Sequence, residues 1–436
     1  MRRLFLGLLL ALFGLHAQAA TTYNSFAAIH PGIYNPATVR IGGVKYQFPG
    51  GISATPIVTD PNNGGTIWQQ HCTSATPFPS GGWTQGYVAA YQDGTGEHAL
   101  PNTITYANGK IDYPPGTETA ITFNSGQTSV TITPGTEGSP AGTEVRTDPI
   151  AVTIPAYTCF IERFYVTVPA AGYLPEAQRN SQTGNGEGFV SGSDQTNTTA
   201  QLAGAVNIWM MGATDALVSS NKPAACIVPA DSIAAGAGDT ATSSGVDNLV
   251  GYIERGLNNY VAWQNLGRSS NRLQFWLSNN AFQSITTGPT TAHCTSIILE
   301  AGTNDEYANN LTLSQLQALF LSVANQWDAN GVYVYATTLL PRVACSPDCS
   351  TLANQTPYAG NETVREAYNA WLLAGVTLNS GRTVTVWDIA SIAQDTSVPD
   401  PSRWRVDLGN PSSEGIHPNV NLTPTLASGV QWWKLK

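Results

Sequence analysis

The hydrophobic pattern of the chain has two rhythms. Up to about residue 200, short alternating apolar and polar runs recur between clusters of Gly, Pro, Asn and Ser. Residues 39–41 and 44–48 flank a Gly-Gly pair, residues 120–123 and 129–133 flank Asn-Ser-Gly, and 150–154 and 160–168 form further β-like runs. Segments 60–66, 93–97, 134–143 and 179–199 read as loops. Regularly spaced short strands with such punctuation predict an all-β sandwich or jelly roll. After about residue 205 the rhythm becomes strand, helix, strand, helix. Strands are predicted at 225–229, 260–264, 296–301, 332–340 and 384–387, and helices at 246–257, 272–282, 312–328 and 363–373. The 312–328 helix is the clearest, with Leu313, Leu316, Leu319, Phe320, Val323 and Trp327 on one face. Alternation of this kind requires crossovers and hence a parallel sheet covered on both faces. Five strands fit the flavodoxin-like order 2-1-3-4-5.

The first twenty residues stand apart. Arg2-Arg3, an apolar run over 4–15 and the small-x-small pattern Ala17-Gln18-Ala19 predict a cleaved export signal, with no integral membrane segment after it. The expected organisation is a signal peptide over 1–20, a β-sandwich-like accessory domain over 21–200 and an α/β catalytic domain over 201–436. Six cysteines in an exported chain predict disulfides. Cys345 and Cys349 fit a small ring. Cys226 and Cys294 fall near the amino ends of adjacent strands, where a bridge and two buried thiols are equally compatible with the pattern. His71-Cys72 and His293-Cys294 lack a metal-ligand spacing. Only 11% of residues are charged and the formal net charge is −10, which excludes a basic nucleic-acid-binding face. In the β-rich half, Trp68, Trp83 and Tyr87 suit either a core or a sugar-stacking platform.

The candidate chemistry lies at strand ends. Ile297-Ile298-Leu299 runs into Gly302-Thr303-Asn304-Asp305, the first strand into Ala230-Asp231-Ser232, the second into Asn265-Leu266-Gly267-Arg268, and Glu414-Gly415-Ile416-His417 lies near the carboxyl terminus. Taken singly, each has an ordinary reading: a helix cap for Ser232, a turn for Asn304 and His417, a solvated carboxylate for Glu414. Jointly, a serine, a histidine with a carboxylate three residues before it and polar strand ends suit nucleophilic acyl transfer.

These four blocks resemble those of the SGNH hydrolases, the GDSL-like esterases and lipases, over roughly residues 222–436. The resemblance implies a three-layer α/β/α domain and a serine esterase with no metal or organic cofactor. It implies Ser232 as nucleophile, His417 as base and Glu414 as third member, with the Ser232 N–H, the Gly267 N–H and the Asn304 amide as oxyanion donors. Ala230 stands where the family has Gly, and Glu414 where it has Asp; Asp407 or a backbone carbonyl is the alternative partner for His417. The implied partner is an ester substrate, with acetylated polysaccharide as one candidate. A lipase or phospholipase, and a catalytically weak carbohydrate-binding protein on the same scaffold, are the alternatives.

Overall fold

The computed structural model describes residues 40–41, 43–44, 46–47, 51–52, 63–93, 96–136, 142, 144–176, 188–198, 213–239, 249–258, 260–278, 294–395, 397 and 402–436. The export signal expected over 1–20 lies outside them. Among the described residues no helix is long and apolar enough to cross a membrane.

Strands β1 (Ala224–Ala230), β2 (Ala262–Asn265), β3 (Ser296–Glu300), β4 (Tyr333–Thr337) and β5 (Thr385–Trp387) form a parallel sheet in the order 5-4-3-1-2. Every residue of β1, β2 and β3 is buried, as expected of strands covered on both faces. The covering helices include α1 (Tyr252–Leu257), α2 (Leu273–Ser278), α3 (Thr303–Asn309), α4 (Leu313–Ala329) and α5 (Ala359–Leu373). Helix α4 buries Leu316, Phe320, Val323 and Trp327 on one stripe, and Thr312 opens it through a reciprocal capping box with Gln315. Helix α1 starts later than its apolar periodicity suggests. The N–H groups of Val250 and Gly251 are taken by the Glu254 and Asp239 carboxylates, and Gly251 has a φ of 75°. In this strand order the connections leaving β1 diverge, so the crevice between the carboxyl ends of β1 and β3 is open to side chains.

The β-rich region is a sandwich of two antiparallel sheets. One sheet pairs Ala213–Val218 with Trp83–Tyr87, and the larger is built on Gly64–Thr73, Ile104–Asp112 and Cys159–Thr167. Its core is aromatic: Phe78, Trp83, Tyr87, Tyr106, Phe123, Phe160 and Phe164 are all buried. Trp68, Trp83 and Tyr87 are only 3%, 1% and 0% exposed, so they are core and form no sugar platform. Gly64 and Gly65, expected in a loop, open a ten-residue strand. A Cβ on Gly65 would lie 2.4 Å from the Val190 carbonyl oxygen, so glycine there admits a neighbouring strand and does not signal a turn. Ala213–Val218 pairs with Trp83–Tyr87 in the smaller sheet, and residues 219–223 lead from it to β1.

The short strands near the start of the described chain find their partners far along the sequence. Arg40–Ile41 pairs with Leu217 and Val218, Gly43–Val44 with Cys72 and Thr73, and Tyr46–Gln47 runs parallel to Gln264 and Asn265 beside β2. Six residues thus hydrogen-bond to three different sheets, and Tyr46–Gln47 is a sixth strand of the parallel one. Three disulfides are formed, Cys72–Cys159, Cys226–Cys294 and Cys345–Cys349. The first joins directly opposed residues of the sandwich, and the second links β1 to the residue that leads into β3.

Candidate active site

Strand β1 ends at Ala230, which carries no positive φ, so its methyl group is accommodated where a glycine would be expected from the resemblance. The chain then turns tightly: the Ala235 N–H donates to the Asp231 carbonyl at 3.0 Å and the Ala237 N–H to the Ser232 carbonyl at 2.9 Å. Two polar side chains from the end of the neighbouring strand β2 hold this turn, and Asp231 braces it from within. Asn265 Nδ2 donates to the Ala234 carbonyl (2.8 Å) and to Glu254 Oε1 (2.7 Å), and Asn271 Nδ2 donates to the Ala230 carbonyl (3.0 Å). Asp231 Oδ1 accepts the Ile233 N–H at 2.8 Å. Gly267 packs against the same turn, where a Cβ would fall 2.9 Å from Ala235 N. This framework leaves Ser232 8% exposed.

The second half of the site is a loop at the far end of the chain. His417 Nε2 lies 2.7 Å from Ser232 Oγ, and His417 Nδ1 lies 2.5 Å from Glu414 Oε1. Glutamate reaches because it folds back on its own backbone: Oε2 accepts the Ile416 N–H (2.8 Å) and Oε1 the His417 N–H (3.0 Å). Gly415 makes this possible, with a φ of 85° and its α-carbon against Val343, where a Cβ would lie 2.0 Å from the carbonyl oxygen. Asp407 instead pairs with Arg405 through contacts of 2.7 and 2.6 Å.

Asn304, at the start of α3, donates from Nδ2 to the Asn271 carbonyl at 3.1 Å; an amide carries two N–H bonds, and the second has no acceptor among the described residues. The Ser232 N–H likewise has none among them. The Gly267 N–H differs, because it donates to Asn265 Oδ1 at 2.8 Å and is engaged within its own turn. Asp305 caps α2 by accepting the Leu273 and Gln274 N–H groups, both at 2.8 Å. Asn265, Asn271 and Glu254 drew no attention as residues; Asn265 stood in the right strand end, but isolated asparagines carry no distinguishing pattern.

Charge is distributed unevenly here. Burial would raise the Glu414 carboxyl, but the His417 side chain and the backbone N–H groups of His417 and Ile416 outweigh it, and the net shift is downward. Behind the serine the reverse holds. Burial pushes Asp231 up to about 6, and burial together with Asp231 raises Glu300 well above the usual carboxylate range. The two are adjacent, with the Asp231 N–H 3.4 Å from Glu300 Oε2. Asp305 is also pushed up to about 6, mainly by burial.

Set beside solved structures, the chain is similar to a GDSL-like lipase from Bacteroides thetaiotaomicron, at 14% identity over 48% of this chain and 86% of that one, with a TM-score of 0.33. A structure assigned to the G-D-S-L lipolytic family from Desulfitobacterium hafniense matches at 16% identity over 48% and 99%, with a TM-score of 0.33. A family two carbohydrate esterase from Clostridium thermocellum, in complex with cellohexaose, matches at 11% identity over 89% and 95%, with a TM-score of 0.29. No family model and no curated protein matches the chain. The GDSL-type blocks named from the sequence occupy one crevice: Ser232, His417 and Glu414 are hydrogen-bonded in series, Asn304 is anchored through Asn271, and Gly267 underlies the serine turn.

Proposed function

We propose that the protein is an exported serine esterase of the SGNH type that hydrolyses carboxylic esters through an acyl-enzyme. The observation that carries the reading is the series Glu414–His417–Ser232, with contacts of 2.5 and 2.7 Å and the serine at a strand end. Ser232 Oγ attacks the ester carbonyl while His417 Nε2 takes its proton, and the same proton is returned to the leaving alcohol. Water then repeats the sequence and releases the acid. Glu414 accepts from Nδ1–H, which fixes the tautomer with Nε2 as base and stabilises the imidazolium. The Ser232 N–H and the free N–H of Asn304 are the primary oxyanion donors. The Gly267 N–H joins them only by sharing its proton with, or turning from, Asn265 Oδ1. The reaction needs no metal or organic cofactor.

The export signal and three disulfides support an oxidising compartment outside the cytoplasm. That address makes an esterified extracellular polymer, such as an acetylated polysaccharide, the favoured substrate class. A fluorophosphonate probe tests the mechanism: adduct formation mapped to Ser232 and lost in Ser232→Ala is expected. Folded wild-type protein that takes up no probe and cleaves no p-nitrophenyl ester would refute it.

A further inference from the structure

Arg342 lies beside this site. The next residue's N–H (Val343) donates to the Gly415 carbonyl at 3.1 Å, inside the loop that carries Glu414 and His417. Its guanidinium lies 3.4 Å over the centre of the Tyr307 ring, and Tyr307 is three residues after Asn304 on α3, hence on the same helical face. Tyr358 packs edge-on against Tyr307 at 5.1 Å. The group is therefore bracketed by the histidine loop on one side and the helix bearing Asn304 on the other.

The guanidinium has no carboxylate partner. Nε and Nη1 are buried and without a hydrogen-bond acceptor, and no ion pair involves Arg342 among the described residues. Its neighbours do not supply one. Glu362 Oε1 accepts the Arg342 backbone N–H at 3.1 Å, and Oε2 is held by Arg365 at 2.7 Å. Glu306 is near enough to interact but makes no bond to Arg342, and burial pushes its carboxyl up toward the neutral acid. A half-buried, stacked guanidinium with no hydrogen-bonded carboxylate is costly to maintain, and a planar fork of N–H donors near the Ser232–His417 pair suits a carboxylate.

We infer that Arg342, stacked on Tyr307, is an anion subsite that selects esters carrying a carboxylate close to the scissile bond, as in an O-acetylated uronic-acid unit. The inference rests on the ester-hydrolysis reading and narrows its substrate class. The test uses the full chain and three substrates: an O-acetylated methyl uronoside, the corresponding uronamide in which the carboxylate is neutral, and p-nitrophenyl acetate. The wild-type protein is expected to prefer the uronoside over the uronamide about ten- to hundredfold in kcat/KM, chiefly through KM, with the ratio falling as salt is added. In Arg342→Gln that ratio falls toward one. Arg342→Lys, which keeps the charge but not the fork, retains a preference several-fold smaller than wild type. Equal turnover of uronoside and uronamide by wild type, with p-nitrophenyl acetate cleaved, overturns the inference and leaves the esterase reading standing. A preference that survives both substitutions also overturns it. Failure to cleave any of the three overturns the esterase reading and the inference with it.

Discussion

Ser232 and His417 are 2.7 Å apart but are supported in opposite ways. The serine turn is held by side chains 31 to 69 positions away in sequence: Asn265 on Ala234, Asn271 on Ala230, and Glu300 beside Asp231. These groups are buried, and their bonds are made across strand ends that exist only when the sheet is assembled. The histidine loop is nearly self-contained. Glu414 bonds to residues two and three positions ahead of it, and its side chain is 43% exposed. The serine's position is thus a product of the whole fold. The histidine is oriented by a four-residue motif, which the fold holds at Gly415 through the Val343 N–H and Trp404 Nε1 on its carbonyl and Ser412 Oγ on its N–H.

The contrast is open to attack at several points. Removing an oxyanion donor tests the assembled half most severely. Asn304→Ala is expected to lower kcat by roughly a hundredfold or more with little change in melting temperature, because the lost interaction is made in the transition state; steady-state kinetics with a p-nitrophenyl ester measures it. Glu414→Gln tests the self-contained half. A roughly ten- to hundredfold fall in kcat is expected, less than for a buried triad acid because solvent partly replaces an exposed carboxylate. A fall far below tenfold would reduce Glu414 to an ancillary contact.

Stability separates the two halves as well. Asn265→Ala removes the amide donor from Glu254 Oε1 and the Ala234 carbonyl, and should cost about 2–3 kcal/mol in a denaturant titration; an unchanged midpoint would mean that the serine turn does not depend on its frame. The smallest expected effect is in pH dependence. Asp231 and Glu300 have raised pKa values, so the native state holds more protons than the unfolded chain; the contribution of Asp231 to stability falls as pH rises from about 4 to about 6, and that of Glu300 is lost as pH rises through its own raised value. Asp231→Asn should flatten that slope by on the order of 1–3 kcal/mol, since an amide no longer repels Glu300. Glu414 acts in the other direction: its carboxyl is lowered, so its contribution is present above the unfolded value and is lost as pH falls through the folded one.

How much of this was legible in the sequence follows the same division. The parallel sheet and its order could be read because strands buried on both faces appear as uninterrupted apolar runs, punctuated by helices with a 3.6-residue stripe. Glu414 and His417 could be read because their chemistry is local. Asn265, Asn271 and Arg342 could not, since each acts through a partner brought near only by folding. The partners of Arg40–Ile41, Gly43–Val44 and Tyr46–Gln47 were hidden for a related reason. Two short alternating runs around Gly-Gly have the local signature of a hairpin, and nothing nearby says that their partners lie at 72, 217 and 264. Gly64 and Gly65 misled because close strand approach and turn formation both demand the absence of a side chain.

The pairing of Tyr46–Gln47 with β2 bears on how the protein can be divided. A chain begun at residue 219 would contain the serine, the asparagine and the histidine, yet β2 would be left as an open edge. Unpaired backbone groups on a flat buried strand are a template for joining another copy. The isolated α/β half is therefore expected to associate or aggregate, although no residue of its crevice has been removed. In this molecule the chain that builds the sandwich also supplies, in Tyr46–Gln47, the stretch that covers the open edge of the parallel sheet and shields it from self-assembly.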